Sequence, residues 1–449
     1  MGKYFGTDGI RGIVNETLDA ETAYRVGSAA ATVLTADDGR KPLILIGKDT
    51  RLSSDMLEAA LIAGICSAGA DVMPLGVLPT PAVAFLTVRL GAQLGIVISA
   101  SHNPYEHNGI KIFDQSGFKL SDAMEERIER MIDGACPTNR KTHSGLGRVI
   151  KDDGRGSDLY IDYLAHAAPA PISGLRVAVD CANGAASSTA ARLFSKFDIT
   201  FEILSDHPNG TNINDGCGST HITRLQDFVR TGGFDVGFAF DGDADRCLVV
   251  DENGDAVDGD KMMAVMGRFM KEKGTLKNNA VVATVMSNLG FHEFAAKNGI
   301  ELLCAAVGDR NVLEMMQTRG GNLGGEQSGH IIFLDDMTTG DGQLAAVKFM
   351  SVVSASQKPV SELTQDVPQY PQVLLNQPIS GGNSAKEAIM GSGALQDAVA
   401  AEEKKLGASG RILVRPSGTE ALIRVMVEAK TQETAFNSAN CLINLIKSL

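Results

Sequence analysis

The 449-residue chain has no tryptophan and only six tyrosines, and aromatic residues make up 5% of it. That scarcity argues against an aromatic-rich binding surface. Its seven cysteines (66, 136, 181, 217, 247, 304 and 441) are scattered, with no C-x-x-C spacing, which excludes a zinc ribbon and a disulfide framework and reads as reduced thiols. No apolar run approaches the ~20 residues of a membrane span. The N-terminal "MGKYFGTDGIRG" lacks an apolar h-region and has Gly6 where a myristoylation motif wants Ser or Thr, so neither signal peptide nor lipid anchor is expected. Basic residues are in the minority: 41 Lys and Arg against 54 Asp and Glu give a net charge of −13. Nucleic acid and anionic membrane are therefore not expected partners. A small anionic substrate needs only a local cluster of cations. The expected compartment is the cytoplasm.

Glycine, in contrast, is abundant at 49 residues, and 44% of the chain is hydrophobic, as in a soluble α/β enzyme with many glycine loops. "KPLILIG", "LGIVIS", "LRVAVD", "ITFEIL", "FDVGFAF", "NAVVATVM" and "ELLCAAV" read as strands, and helical patterns such as "SSDMLEAALIAGICSAG" alternate with them. Such alternation predicts sheets covered on both faces. The expected fold class is α/β, with three tandem related α/β domains carrying mixed, mostly parallel sheets. Beyond "VPQYPQVLLNQP", whose prolines mark a boundary, two helical segments flank the strand pair "RILVR" and "ALIRVMVEA". This predicts a smaller α+β domain. The expected divisions are 1–153, 154–255, 256–367 and 368–449.

Ligands of open parallel sheets sit beyond the carboxyl ends of strands, and the unusual residues fall there. In "FAFDGDADRC", Asp241, Asp243 and Asp245 follow an apolar strand at spacing two. Three such carboxylates need a cation, and hard oxygen ligands select Mg²⁺ or Ca²⁺. An EF-hand loop fails, because Arg246 stands where its sharp turn demands glycine and the flanks read as strands. A dehalogenase-type phosphotransferase, with the first Asp as nucleophile, is a rival reading, although such sites want Thr or Val where Asp245 stands. In "GIVISASHNPYEHNGIKIF", Ser101 and His102 are adjacent, so on an extended chain their side chains diverge and they are no Ser–His pair. A serine already phosphorylated needs no base to donate its phosphoryl group, and its dianion matches a metal held by the aspartates.

Further clusters suit a phosphosugar. In "VRPSGTE", Arg415, Ser417, Gly418 and Thr419 follow a strand and could cradle a phosphate. In "GGEQSGH", Glu326 and Ser328 face one side if the chain is extended, as readers of sugar hydroxyls. "GTDGIRG" puts Thr7 and Arg11 among glycines, and "GKDTR" puts Lys48 and Arg51 after a strand, as cations for an anionic substrate.

Together, "SASHNP", "DGDADR", "GEQSGH" and "RPSGTE", in this order across almost the whole chain, resemble the four signature loops of the α-D-phosphohexomutase superfamily. "FGTDGIRG", "TVMSNLG" and Gln327 resemble its amino-sugar branch. The resemblance implies four domains around one cleft, the last of them mobile. It implies phosphorylated Ser101 and one Mg²⁺ held by Asp241, Asp243, Asp245 and the phosphoserine. Glu326 and Ser328 match the sugar readers, and Arg415, Ser417, Gly418 and Thr419 the distal phosphate site. Lys111 and His330 match residues that move protons or balance charge, and Arg11 and Arg246 cations near the transferring phosphoryl. The implied reaction interconverts glucosamine 6-phosphate and glucosamine 1-phosphate through a hexosamine 1,6-bisphosphate, supplying UDP-N-acetylglucosamine and cell-wall precursors; phosphomannomutase/phosphoglucomutase activity of the same superfamily is the alternative. The expected partner is this phosphosugar; the sequence leaves the oligomeric state open, a homodimer being one option. Ala421 departs from the proline that often follows "RPSGTE", and Ala244 from a glycine of the wider superfamily. Ser99 remains a second candidate for the phosphorylated serine.

Overall fold

A computed structural model describes residues 3–449 apart from 7, 35–40, 135–139, 381 and 418–420. The first sheet holds β1 (Ile10–Ile13), β2 (Leu43–Lys48), β3 (Asp71–Val77), β4 (Leu94–Ile98) and β5 (His107–Asp114), in the order β1-β5-β4-β2-β3. The second holds β6 (Ser173–Asp180), β7 (Asp198–Leu204), β8 (Val236–Phe240), β9 (Cys247–Asp251) and β10 (Ala256–Val257), in the order β10-β9-β8-β6-β7. The third holds β11 (Ala280–Thr284), β12 (Glu301–Ala305), β13 (Leu323–Gly325) and β14 (Ile331–Phe333), in the order β12-β11-β13-β14. The short β10 carries the second sheet past the 255/256 division expected from sequence.

One connectivity recurs in all three. A first strand pairs in parallel with the second on one side and the third on the other: β2 with β3 and β4, β6 with β7 and β8, β11 with β12 and β13. The third strand then turns back into an antiparallel fourth: β4 into β5, β8 into β9, β13 into β14. Helices return the chain between the parallel strands, as that geometry requires. The central strands β4, β8 and β11 are buried along their whole length because both faces are covered, whereas the outer strands β7 and β12 carry exposed charged residues. Around the first sheet, Ile44, Ile46, Ile96 and Ile98 pack with Val26, Leu57, Leu61 and Ile65 of the helices Ala20–Leu34 and Ser54–Ser67. The repeat is one of topology, and each turn between third and fourth strand holds one signature loop: 99–106, 241–246 and 326–330.

These three sheets lie in one compact unit, residues 1–285 and 300–364. The second unit comprises 286–299 and 365–449. Its antiparallel sheet is β15 (Gln372–Pro378), β17 (Leu422–Ala429) and β16 (Gly410–Pro416), in that order. Ile423, Val425 and Val427 alternate inward against Ala435, Ala439, Leu442 and Ile446 of the helix Gln432–Ser448. Here the sequence reading is incomplete, since the proline-rich boundary contains a third strand. β15 is an edge strand, where Pro378 at its end removes no ladder hydrogen bond that the sheet needs. The helix Leu289–Lys297 joins this unit through Glu428, which is fully buried and accepts from Leu289 N–H (2.9 Å), Asn288 Nδ2 (3.3 Å), Gln372 Nε2 (2.9 Å) and Arg411 Nε (2.9 Å). No helix among the described residues is long and apolar enough to cross a membrane.

Candidate active site

After β4 the backbone folds sharply, and Ser101 adopts φ +52°, a left-handed conformation that residues other than glycine enter at a cost. Its side chain is buried, and Oγ donates to Asp241 Oδ2 at 2.7 Å, across from the first sheet to the second. Ser99 is occupied otherwise. Its hydroxyl donates to buried Asp49 at 2.6 Å and accepts the Ser101 N–H at 2.9 Å.

Asp241, Asp243 and Asp245 each bring a carboxylate oxygen within 4.8 Å of the others, and all three are buried. Asp243 Oδ2 accepts from Thr80 Oγ1 (2.7 Å) and Lys111 Nζ (2.9 Å). Asp243 Oδ1 and Asp245 Oδ1 are buried with no hydrogen-bond partner among the described residues, as ligand oxygens for a hard cation would be. Burial and its two carboxylate neighbours push the Asp241 carboxyl well above the usual range. Burial acts on Asp245 too, but Lys111, His330 and Arg246 outweigh it and hold that carboxyl well below. The second loop turns at Ala244, φ +56°, a left-handed conformation that glycine would enter without a Cβ penalty.

Cations surround the carboxylates. Lys111 Nζ lies 2.9, 3.3 and 3.5 Å from Asp243, Asp8 and Asp245. Burial opposes its charge, yet these carboxylates raise its pKa. Asp8 also pairs with Arg11 and Lys119, and Lys119 reaches Asp309 at 2.6 Å. Arg246 donates its backbone N–H to Asp241 Oδ1 (3.3 Å), and its Nη1 lies 3.3 Å from His102 Nδ1. Burial, with Arg246 and Arg11 nearby, drives the His102 pKa down to about 4, so His102 is neutral at pH 7. His330 Nδ1 is 3.7 Å from Asp245 and its Nε2 3.9 Å from Asp309. Although burial opposes it, these carboxylates raise the pKa of His330. Gly340 N–H donates to Nε2 at 3.2 Å, so the neutral ring carries its proton on Nδ1, facing Asp245. A Cβ on Gly340 would stand 2.5 Å from this ring.

Glu326 and Ser328 are not on an extended segment. Gly329 N–H donates to Glu326 C=O at 3.0 Å, closing a turn, so the side-chain alternation assumed from spacing does not apply. Glu326 is half-buried, with Oε1 accepting Gly308 N–H at 3.1 Å, and Ser328 is exposed.

Sequence models of phosphoglucomutase/phosphomannomutase match nearly the whole chain in order. Alpha/beta/alpha domain I covers residues 2–136, domain II 158–254, domain III 258–370 and the C-terminal domain 375–439. The chain belongs to the phosphoglucomutase/phosphomannomutase family. It is 49% identical to the phosphoglucosamine mutase of Oceanobacillus iheyensis over 447 residues, covering 100% of this chain and 99% of that relative. The phosphoglucosamine mutase of Acetivibrio thermocellus is also 49% identical, over 453 residues, again covering 100% and 99%. Among solved structures, a phosphoglucomutase/phosphomannomutase family protein from Burkholderia thailandensis superimposes with a TM-score of 0.81 at 24% identity, over 100% of this chain and 98% of that one. Aspergillus fumigatus N-acetylphosphoglucosamine mutase, solved with GlcNAc-6P and magnesium, gives 0.70 at 17%, over 99% and 95%.

In this family member, three of the four signature loops lie in the first unit, and Ser101, Lys111, the three aspartates, Arg11, Arg246 and His330 converge there. Arg415 and Ser417 lie in the second unit; Gly418 and Thr419, like Thr7, fall outside the described residues. Arg415 stands directly across the antiparallel pair from Arg424, and burial and that neighbour lower its pKa. Two expected substrate cations have other work. Lys48 pairs with Asp55 (2.6 Å) and Glu58 (2.5 Å). Arg51 is buried and bonds Asp49 and the carbonyls of the Ser101 loop. Asp8, Lys119, Asp309 and Thr80 were missed. Asp8 could have been found as the partner that a lysine inside the apolar strand "NGIKIF" demands; Asp309 has no local signal.

Proposed function

We propose that this chain is a phosphoglucosamine mutase, interconverting glucosamine 6-phosphate and glucosamine 1-phosphate. The observation that carries the reading is the Ser101 hydroxyl, buried 2.7 Å from Asp241 within the three-aspartate group. Identity of 49% across the whole chain to proteins of that name supports the choice of sugar.

Phospho-Ser101 gives its phosphoryl to a hydroxyl of the sugar monophosphate. The Ser Oγ–P bond breaks as a sugar O–P bond forms and the proton of the sugar hydroxyl passes to Ser101 Oγ, leaving a 1,6-bisphosphate and a free Ser101 hydroxyl. The bisphosphate turns over, and its other phosphate returns to Ser101. Asp241, Asp243, Asp245 and the phosphoserine would hold Mg²⁺, which would supply charge neutralisation for the phosphoryl oxygens. Lys111, encircled by three carboxylates that keep it protonated, balances charge and takes no proton. Arg11 and Arg246 steady the moving phosphoryl group, and His330, beside Asp245 and Asp309, moves a proton or balances charge. Glu326 and Ser328 read sugar hydroxyls in both orientations. Arg415, Ser417, Gly418 and Thr419 hold the phosphate not in transfer. The product would feed nucleotide-sugar synthesis. The four-domain division belongs to the same proposal, with the second domain extended through Val257.

Ser101→Ala should abolish mutase turnover and phosphate uptake, and chelation should stop the wild type until Mg²⁺ is restored. Retained turnover with phosphate uptake elsewhere would overturn the assignment. A hydroxylamine-labile phosphoenzyme would instead indicate an aspartyl phosphate. Comparing turnover of glucosamine, glucose and mannose 6-phosphates on enzyme of mapped phosphorylation tests the sugar.

A further inference from the structure

The Ser101 loop is held from outside by two side chains that the reaction scheme does not use. Arg51, fixed by Asp49 through Nε at 2.8 Å, donates from Nη2 to the carbonyls of Ser101 (2.8 Å) and Asn103 (2.9 Å). It belongs to the same sheet region as the loop. Asn214, in contrast, comes from the segment between β7 and β8 of the second sheet. Its Nδ2 donates to the same two carbonyls, at 3.0 and 3.1 Å. Each carbonyl therefore accepts two hydrogen bonds, one from each side.

Three observations say that donation is what Asn214 is there for. The residue is 5% exposed, and its Oδ1 is buried with no hydrogen-bond partner among the described residues. The amide is thus oriented by the two carbonyls alone; turned round, it would set oxygen against oxygen. Its backbone stands at φ +59° with N–H donating to Ala182 C=O at 2.9 Å, a conformation that Asn accepts better than most residues. Finally, the amide passes beside the metal loop. A Cβ on Gly242, between Asp241 and Asp243, would lie 2.8 Å from Asn214 Nδ2 and 2.5 Å from Ser101 C=O.

We propose that Asn214 is a positioning residue that locks the nucleophile loop to the metal-loop domain, holding Ser101 in its left-handed backbone so that Oγ meets Asp241. A strained conformation persists only where its surroundings over-determine it. Without the amide, one of two restraints on each carbonyl is gone and the Ser101 hydroxyl is no longer fixed against its partner. Substrate binding, which uses other side chains, is untouched. This inference rests on the phosphoserine reading above.

The test uses Asn214→Asp, which keeps size and removes the donor, and Asn214→Gly, which keeps the left-handed backbone and removes the amide. Dephosphorylated full-length enzyme is mixed with glucosamine 1,6-bisphosphate, and phosphate on Ser101 is followed by rapid quench and mass spectrometry. Both variants should transfer about 10- to 100-fold more slowly, with kcat falling in parallel and KM and bisphosphate Kd within about two-fold of wild type. The melting temperature of at least one should match wild type. Transfer at the wild-type rate in either folded variant overturns the proposal. So does a joint loss of rate, binding and melting temperature in both, which marks a general structural role. If wild-type enzyme takes no phosphate on Ser101, the failure belongs to the underlying reading.

Discussion

A lysine in the middle of a buried strand keeps its charge only if carboxylates meet it, and Lys111 is met by Asp8, Asp243 and Asp245. Lys111→Met should leave that negative charge unbalanced and lower kcat by about 10²–10³-fold, the scale of losing one electrostatic stabiliser. Steady-state kinetics with KM determined separately would check it. The two serines of "ISAS" separate by partner. Ser99→Ala removes a donor to Asp49 and an acceptor for Ser101 N–H, and should cost about 1–3 kcal/mol of stability. Peptide mapping of that variant should still find phosphate on Ser101; its absence there would count against the assignment.

Among elements, the tight turns of the repeated hairpins tolerate no added bulk. Gly242→Ala would drive a methyl against Ser101 C=O and the Asn214 amide. It should lower kcat by about 100-fold or more while the circular dichroism spectrum is unchanged. The helix Gly342–Ser356 offers a pH test beside the metal loop, where Gly342 N–H donates to Ala244 C=O at 3.0 Å. Its N-cap, Asp341, is fully buried, accepts Leu344 N–H (2.9 Å) and Tyr160 O–H (2.8 Å), and burial pushes its carboxyl up to about 7. The unfolded chain releases that proton near the ordinary aspartate value, so the folded state binds more protons between about pH 4 and 7. Stability from this group is complete below that window and lost as pH rises through 7. Asp341→Asn keeps the cap and should flatten the decline, making the variant the more stable protein at pH 8 in denaturant titrations.

At the scale of the molecule, the chain forms two units with separate cores, and the second depends on one buried charge. Glu428→Ala would strand Arg411, Gln372, Asn288 and Leu289 N–H. Breaking a buried ion pair from one side costs about 3–5 kcal/mol, so scanning calorimetry should show an early transition for this variant. Its loss should leave the Ser101–Asp241 site, built wholly within the first unit, folded, while the KM for sugar phosphate rises because Arg415 and Ser417 are lost with the second unit.

Strand–helix alternation, the apolar strands and the polar residues at their ends were legible in sequence because each depends on neighbours a few positions apart. Asp241, Asp243 and Asp245 announced a cation by spacing alone. Edge strand β15 was hidden by its prolines, and the Glu326–Ser328 pair was misjudged because a turn, set by Gly329, replaced the assumed extension. Arg51 read as a substrate cation until the fold buried it on Asp49. What only tertiary structure decided is which groups meet across more than a hundred residues: Ser101 with Asp241, Lys111 with Asp8, Lys119 with Asp309, Asn214 with the nucleophile loop. The physical reason is the repeated sheet, which sends three separate hairpin turns to one place. Periodicity along a chain carries no information about that convergence.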